Sequence, residues 1–223
     1  MAYQLCLIWL SIGSLFYAQV KASQQDVLSR IASVKPYPGT SSAAIADLLA
    51  GTHVPGGIVS VYSRCSTPAQ YQFPFDGATL GKELDYVRSI DSSRLWIYRD
   101  GLIIVNHDLV NRTLLAANIG DIDVNPDDAL TLSTEKLVRS SQVAKRVKDL
   151  GLEEMYSRGG FTAIRASGYP KEDVPLSPPQ HFHQINLEDA LNRLASMKGN
   201  AVWHYEQFEC GSKSTFNIQW IVK

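Results

Sequence analysis

Residues able to do chemistry are few in this chain, and they are scattered. It carries five histidines. His181 and His183 fall on one side of an extended segment, a spacing that two metal ligands can use. No rule of spacing brings His53, His107 or His204 beside them as a third ligand, so no metal site is expected and the pair reads as exposed histidines. His204 sits between Trp203 and Tyr205, which directs its side chain to the opposite sheet face, toward solvent. The acids Asp121/Asp123 and Glu153/Glu154 are arranged as surface acids commonly are, and neither pair is expected to be catalytic. Gly56-Gly57 and Gly159-Gly160 lack the following helix and the Lys or Ser of a phosphate loop. Neither G-x-S-x-G nor S-x-x-K occurs. No catalytic residue and no cofactor are therefore expected.

The cysteines bear on compartment. Cys6 to Ala18 is a largely apolar run without charge, of the length of a signal-peptide core and short for a membrane span. Val20-Lys21-Ala22 offers small or apolar residues where a signal peptidase reads, so residues 1–22 are expected to be a cleaved signal peptide, with Ala18 as the second choice of cleavage site. No Lys or Arg precedes the core, and the alternative is an uncleaved N-terminal anchor. Cleavage leaves Cys65 and Cys210, and two thiols in an exported chain are expected to pair. Composition is that of an ordinary globular protein: 223 residues, 45% hydrophobic, 19% charged, net charge -1. Such a balance gives no reason to expect a nucleic-acid partner.

The elements that must position these side chains repeat. Phe75 to Tyr98 recurs without a gap as Phe182 to Tyr205, 107 positions on. Leu80, Leu84, Val87, Ile90 and Trp96 fall on Leu187, Leu191, Leu194, Met197 and Trp203, and Tyr98 falls on Tyr205. Matched positions are nearly all apolar, so a fold unit is repeated and not an active site. Cys65 and Cys210 are not equivalent, so a bridge between them would tie one unit to the other.

Each unit reads as strand, helix, hairpin. Leucines at helical spacing mark the helix. Asp100-Gly101 between two apolar runs marks a tight hairpin, because both turn residues tolerate positive φ. In the second unit Asn186 caps the helix with an acid three residues on and Gly199 closes it, while residues 207–213 read as a longer hairpin link. Before the first unit, residues 23–34 and a segment capped by Ser41 or Ser42 read as helices, and Ile58 to Tyr62 as a strand. Between the units, Leu114 to Val124 reads as a strand and Ser133 to Leu150 as one long helix. Phe161 to Ala166 reads as the counterpart of Ile58 to Tyr62. The expected class is α+β, with two related strand-helix-hairpin units (57–124 and 161–223), a helical segment at 23–56 on the first, and a connecting helix within 125–160. Trp96, Tyr98, Trp203 and Tyr205 repeat with period two. They read as core, or, in the sharper reading, as the lining of a groove for an extended peptide at a sheet edge.

The pattern in His181 to Tyr205, with Leu187-Glu188-Asp189-Ala190-Leu191 and Gly199, resembles the short N-terminal domain of secretins and TonB-dependent transducers. The layout of export signal, VPGG, first repeat and W-x-Y strand also resembles small exported proteins of acidobacteria. The resemblance implies a βαβ-type interaction module in a Gram-negative envelope, contacting another envelope protein or peptide. It brings no catalytic residues, and the chain lacks the pore segment and TonB box of those families. Three functions remain open at this point: protein or peptide binding in the periplasm, a hydrolase with a site near Cys65 or the histidines, and a structural or assembly subunit.

Overall fold

The computed structural model describes residues 23–63, 68–124, 128–155, 163–165, 180–211 and 213–222. The chain is α+β, as the sequence indicates. Helix α1 covers 23–29, followed by β1 (Tyr37–Gly39), α2 (Ser41–Gly51), β2 (Gly56–Tyr62), β3 (Tyr71–Phe73), α3 (Leu80–Ile90), β4 (Trp96–Arg99) and β5 (Leu102–Val105). Two 3-10 helices, His107–Arg112 and Leu114–Ala116, lead to β6 (Asp121–Val124), α4 (Leu130–Val138), α5 (Ser141–Asp149), β7 (Leu152–Glu154) and β8 (Ala163–Arg165). The second unit closes the chain with β9 (Gln180–His183), α6 (Leu187–Lys198), β10 (Ala201–Cys210) and β11 (Lys213–Val222).

One seven-stranded sheet organises the molecule, in the order β4-β5-β2-β10-β11-β7, with β8 also on β11. The repeat is visible in this order. In the first unit β4 is antiparallel to β5, and β5 is parallel to β2. In the second, β10 is antiparallel to β11, and β11 is parallel to β8. Residues 163–165 thus stand to the second unit as β2 stands to the first. Because β2 and β10 are parallel, β8, β10 and β11 each run opposite to their counterparts β2, β4 and β5. The units are related by a half-turn about an axis across the sheet together with a shift of three strand positions along it, which puts their helices on opposite faces. Leu80, Leu84 and Val87 of α3 pack with α2 over one face, together with Ile58, Ile103 and Val105. Leu187, Leu191 and Leu194 of α6 pack over the other, with Val59, Trp203 and Tyr205. Alternation along each strand supplies both cores.

Local signals explain most of the boundaries. Asn186 caps α6 by accepting from the Asp189 N–H at 2.7 Å, and Gly199 ends it at φ 74°. Asp100 and Gly101 both take positive φ, 53° and 85°, in the tight β4–β5 hairpin.

Four expectations are corrected. The cap of α2 is Thr40, which accepts from Ala43 N–H at 3.1 Å, while Ser41 and Ser42 are buried. Residues 114–120 are not strand: Thr113 accepts from Leu115 N–H and turns the chain into the second 3-10 helix. The long helix breaks between Val138 and Ser141, where Ser140 adopts extended backbone ahead of α5. The second hairpin also has no long link. β10 and β11 pair from Ala201↔Val222 to Cys210↔Lys213, leaving two residues in the turn.

Candidate functional site

The edge of the sheet at β4 is where backbone, aromatic side chains and exposed apolar surface meet. Among the described residues β4 pairs only with β5. Asn106 fixes the phase of that ladder: its N–H donates to Leu95 O at 2.7 Å, and its Oδ1 accepts from Leu95 N–H at 3.0 Å. In an antiparallel pair, bonded residues alternate with residues whose N–H and C=O turn outward. Leu95, Ile97 and Arg99 therefore face β5, and Trp96 and Tyr98 direct their main-chain groups to the open edge. Asn106 also donates from Nδ2 to Val59 O at 3.0 Å, tying the hairpin to β2. The side chains of Trp96 and Tyr98 are half-buried against α3 and its neighbours. Leu95 and Ile97, on the other face, are 45% and 40% exposed. Trp96 Nε1 is buried and without a hydrogen-bond partner among the described residues. Tyr98 Oη lies 3.1 Å from Ser23 Oγ.

The counterparts of these aromatics lie elsewhere. Trp203 and Tyr205 have no exposed surface. Strand β10 is central, with both faces covered, so both residues are core and offer no binding surface. Trp203 Nε1 donates to Asn192 Oδ1 at 2.9 Å, and Tyr205 Oη donates to Gln207 Oε1 at 2.6 Å. Burial raises the pKa of Tyr205.

His204 points to the opposite face from Trp203, as alternation requires, but that face is not solvent. Helix α2 covers it, and His204 is 7% exposed. Its Nε2 lies 3.0 Å from Ser60 Oγ, which lies 2.9 Å from Ser42 Oγ. Arg94 donates to Ser60 at 3.2 Å, to Ser41 at 2.9 Å and to Asp91 at 3.1 Å, and Ser41 donates to Asp91 at 2.5 Å. Burial, and then the Arg94 charge, push the His204 pKa down to about 3, so the imidazole is neutral. Burial pushes Asp91 up, but the hydrogen bonds from Ser41 and Ser93 and the Arg94 charge outweigh it and hold Asp91 below its usual value. A cavity of about 640 Å³ opens beside Ser41, Asp91, Arg94, Asn106 and Asp108. The Ser60–His204 contact resembles a nucleophile and its base, yet Ser60 is 1% exposed and also occupied by Arg94 and Ser42. No substrate atom reaches it. The network is a strut holding α2 to the sheet.

His181 and His183 are exposed, as the sequence indicates, but they are not alone. Strand β9 pairs with β6 in the register Asp121↔His183 and Asp123↔His181. His181 Nδ1 lies 2.6 Å from Asp123 Oδ1, and His183 Nδ1 contacts Asp121 Oδ1. The hydrogen bond that His181 donates to Asp123, then the Asp123 charge, raise the pKa of His181. Both the histidines and the alternating acids stand out in the sequence; only strand pairing, which no local pattern encodes, joins them. Glu188 is a further buried acid, 2.8 Å from His107 Nδ1 and 3.8 Å from Arg99.

Cys210 ends β10 and is disulfide-bonded. Cys65 lies outside the described residues, as does the apolar run from Cys6 to Ala18. Among the described residues no helix is long and apolar enough to cross a membrane. No family model matches the sequence, and comparison with curated proteins and with solved structures finds no match.

Proposed function

We propose that this chain is an exported protein-interaction module that takes an extended segment of a partner protein as an added strand on β4. The observation that carries the reading is the open edge: Trp96 and Tyr98 present paired N–H and C=O groups two residues apart, flanked by the apolar side chains of Leu95 and Ile97. Main-chain hydrogen bonds supply affinity in strand addition, and alternate side chains supply selectivity. An open edge of this kind is a hazard unless it is used or protected. Strand β4 carries neither Lys nor Pro, and its one charge, Arg99, is engaged by Glu188 and Asp189. The likeness of the repeat to interaction domains of secretins and transducers supports the same reading, as does the N-terminal apolar run for export to the periplasm. Pairing of Cys65 with Cys210 belongs to the proposal. Tyr62 is in register with Phe208, Cys65 follows Tyr62 by three residues, and Cys210 follows Phe208 by two.

Tyr98→Pro tests the reading. Its N–H faces the open edge, so proline removes no β4–β5 bond but blocks an added strand. Extended peptides selected on the immobilised wild-type chain should lose at least about tenfold in affinity for the variant, while its melting temperature, lowered by loss of the half-buried Tyr98 ring, falls by no more than about 10 °C. Equal affinity of both proteins for every selected peptide would refute strand addition at β4.

A further inference from the structure

The two-stranded sheet β6–β9 carries a second site, built from the four polar side chains of its outer face. Ile122 and Phe182 point inward, Phe182 fully buried. Their neighbours Asp121, Asp123, His181 and His183 must therefore all project outward on one face. The pairing that places them is well fixed. Ile119 N–H donates to Ile185 O at 2.9 Å, Gln184 N–H to Gly120 O at 3.0 Å, and Leu187 N–H to Ala117 O at 2.9 Å. These bonds lock β9 and the start of α6 onto the segment entering β6, so the four side chains stand on a braced surface and not on a free loop.

One donor atom from each of Asp121, His181 and His183 lies within 4.8 Å of the other two. Donors sharing an ion at bond lengths near 2.1 Å stand about 3.4 Å apart, so the three have at most about 1.4 Å to close, and an ion would take the place of the contact between His183 Nδ1 and Asp121 Oδ1. Asp123 supplies the remaining element of such a site. Its carboxylate accepts from His181 Nδ1–H at 2.6 Å, which fixes the tautomer and leaves Nε2 as the lone pair of the ring. Metal-bound histidines are oriented by carboxylates in this way. Two imidazoles and a carboxylate suit a borderline divalent ion, zinc first and copper or nickel by the same donor set. They do not suit magnesium, which takes oxygen ligands. Exposure of His181 and His183, 60% and 63% for the side chains, leaves at least one position for water or for a donor from another molecule.

We propose that Asp121, His181 and His183 bind one zinc-class divalent ion on the outer face of β6–β9, with Asp123 orienting His181. No covalent or redox step is implied: a proton leaves where the ion enters. The site lies on the second unit and does not depend on what β4 binds.

Titration of the untagged exported chain with zinc chloride, followed by calorimetry at pH 7.5 in a non-chelating buffer, tests it. The expected result is saturable uptake of about one Zn2+ per chain with a dissociation constant in the micromolar range or tighter, and no heat from magnesium chloride. His181→Gln and His183→Gln, each at an exposed position, should each weaken uptake by about 100-fold, and Asp123→Asn by about 10-fold. Absence of saturable zinc uptake by the wild-type chain, or uptake unchanged in both histidine variants, would overturn the assignment.

Discussion

Gly57→Ala lowers the stability of the fold by about 3 kcal/mol. Gly57 of β2 is in register with Trp203 of the parallel strand β10. The indole occupies the space beside it: a Cβ at position 57 would sit 2.0 Å from Trp203 Cζ2 and 2.1 Å from Cε2. Neither wall can yield cheaply. Trp203 is fully buried and held by its hydrogen bond to Asn192, and β2 is paired on both sides, to β5 and β10. A glycine covered by a cross-strand aromatic also recovers the packing that its missing side chain leaves open. The effect is read by urea denaturation, and its mechanism by a double-mutant cycle with Trp203→Leu. A smaller indole substitute should relieve much of the clash, so the two losses combine to less than their sum. A loss under about 1 kcal/mol, or simple additivity, would show that the sheet can open at this contact, contrary to the register described here.

Acid destabilises the protein through His204, by about 3 kcal/mol between pH 7 and pH 4.5. The folded-state pKa is depressed to about 3 from an ordinary 6.5. Across that window the unfolded chain takes up a proton that the folded chain refuses. The stability tied to the neutral ring is therefore complete above pH 6.5 and is lost as pH falls toward 3. Other groups slope differently in the same range. Burial raises the pKa of Glu83, Glu154 and Glu206. Those acids stabilise the fold at low pH and lose that contribution as pH rises. Asp91, held low, matters only as pH falls through its own lower range. Comparison with His204→Gln removes the shared contributions. The variant keeps a hydrogen-bonding side chain beside Ser60 but no proton to bind, so its stability should change less between the two pH values, by roughly the 3 kcal/mol assigned to His204. Parallel pH profiles of the two proteins would mean that His204 is protonated in the folded state, against the burial observed.

How much of this was legible in the sequence depends on the range of the interaction. The helix of each unit, the Asn186 cap and the Asp100-Gly101 turn are local patterns, and all three are present in the structure. Of the run read as a strand from Phe161 to Ala166, residues 163–165 form β8 and pair with β11, and the others lie outside the described residues. What the sequence withheld is strand order. Period-two alternation puts His204 opposite Trp203, but only the central place of β10 decides that its face is covered. The same fact separates the two aromatic pairs. Trp203 and Tyr205 lie in the middle of the sheet and Trp96 and Tyr98 at its edge, although the segments holding them are copies. The half-turn between units is likewise invisible to periodicity, since it depends on β2 choosing β10 as its second neighbour. The longer link read at residues 207–213 is also absent, because pairing with β11 continues to Cys210 and Gln207 to Cys210 are strand. Gly56-Gly57, which fits no phosphate loop, is explained by close approach. A Cβ at Gly56 would meet Ile103 O at 2.4 Å.

The central claim is that the outward main-chain groups of Trp96 and Tyr98 receive a strand. Amide hydrogen exchange, resolved to single residues, measures this directly on the wild-type chain with and without a selected extended peptide. In the free protein the amides of Trp96 and Tyr98 should exchange faster than that of Ile97, which is bonded to β5. Saturating peptide should slow exchange at Trp96 and Tyr98 by at least about tenfold and leave Ile97 little changed. A peptide that binds tightly while those two amides keep their free rates, with protection appearing elsewhere on the surface, would contradict the account.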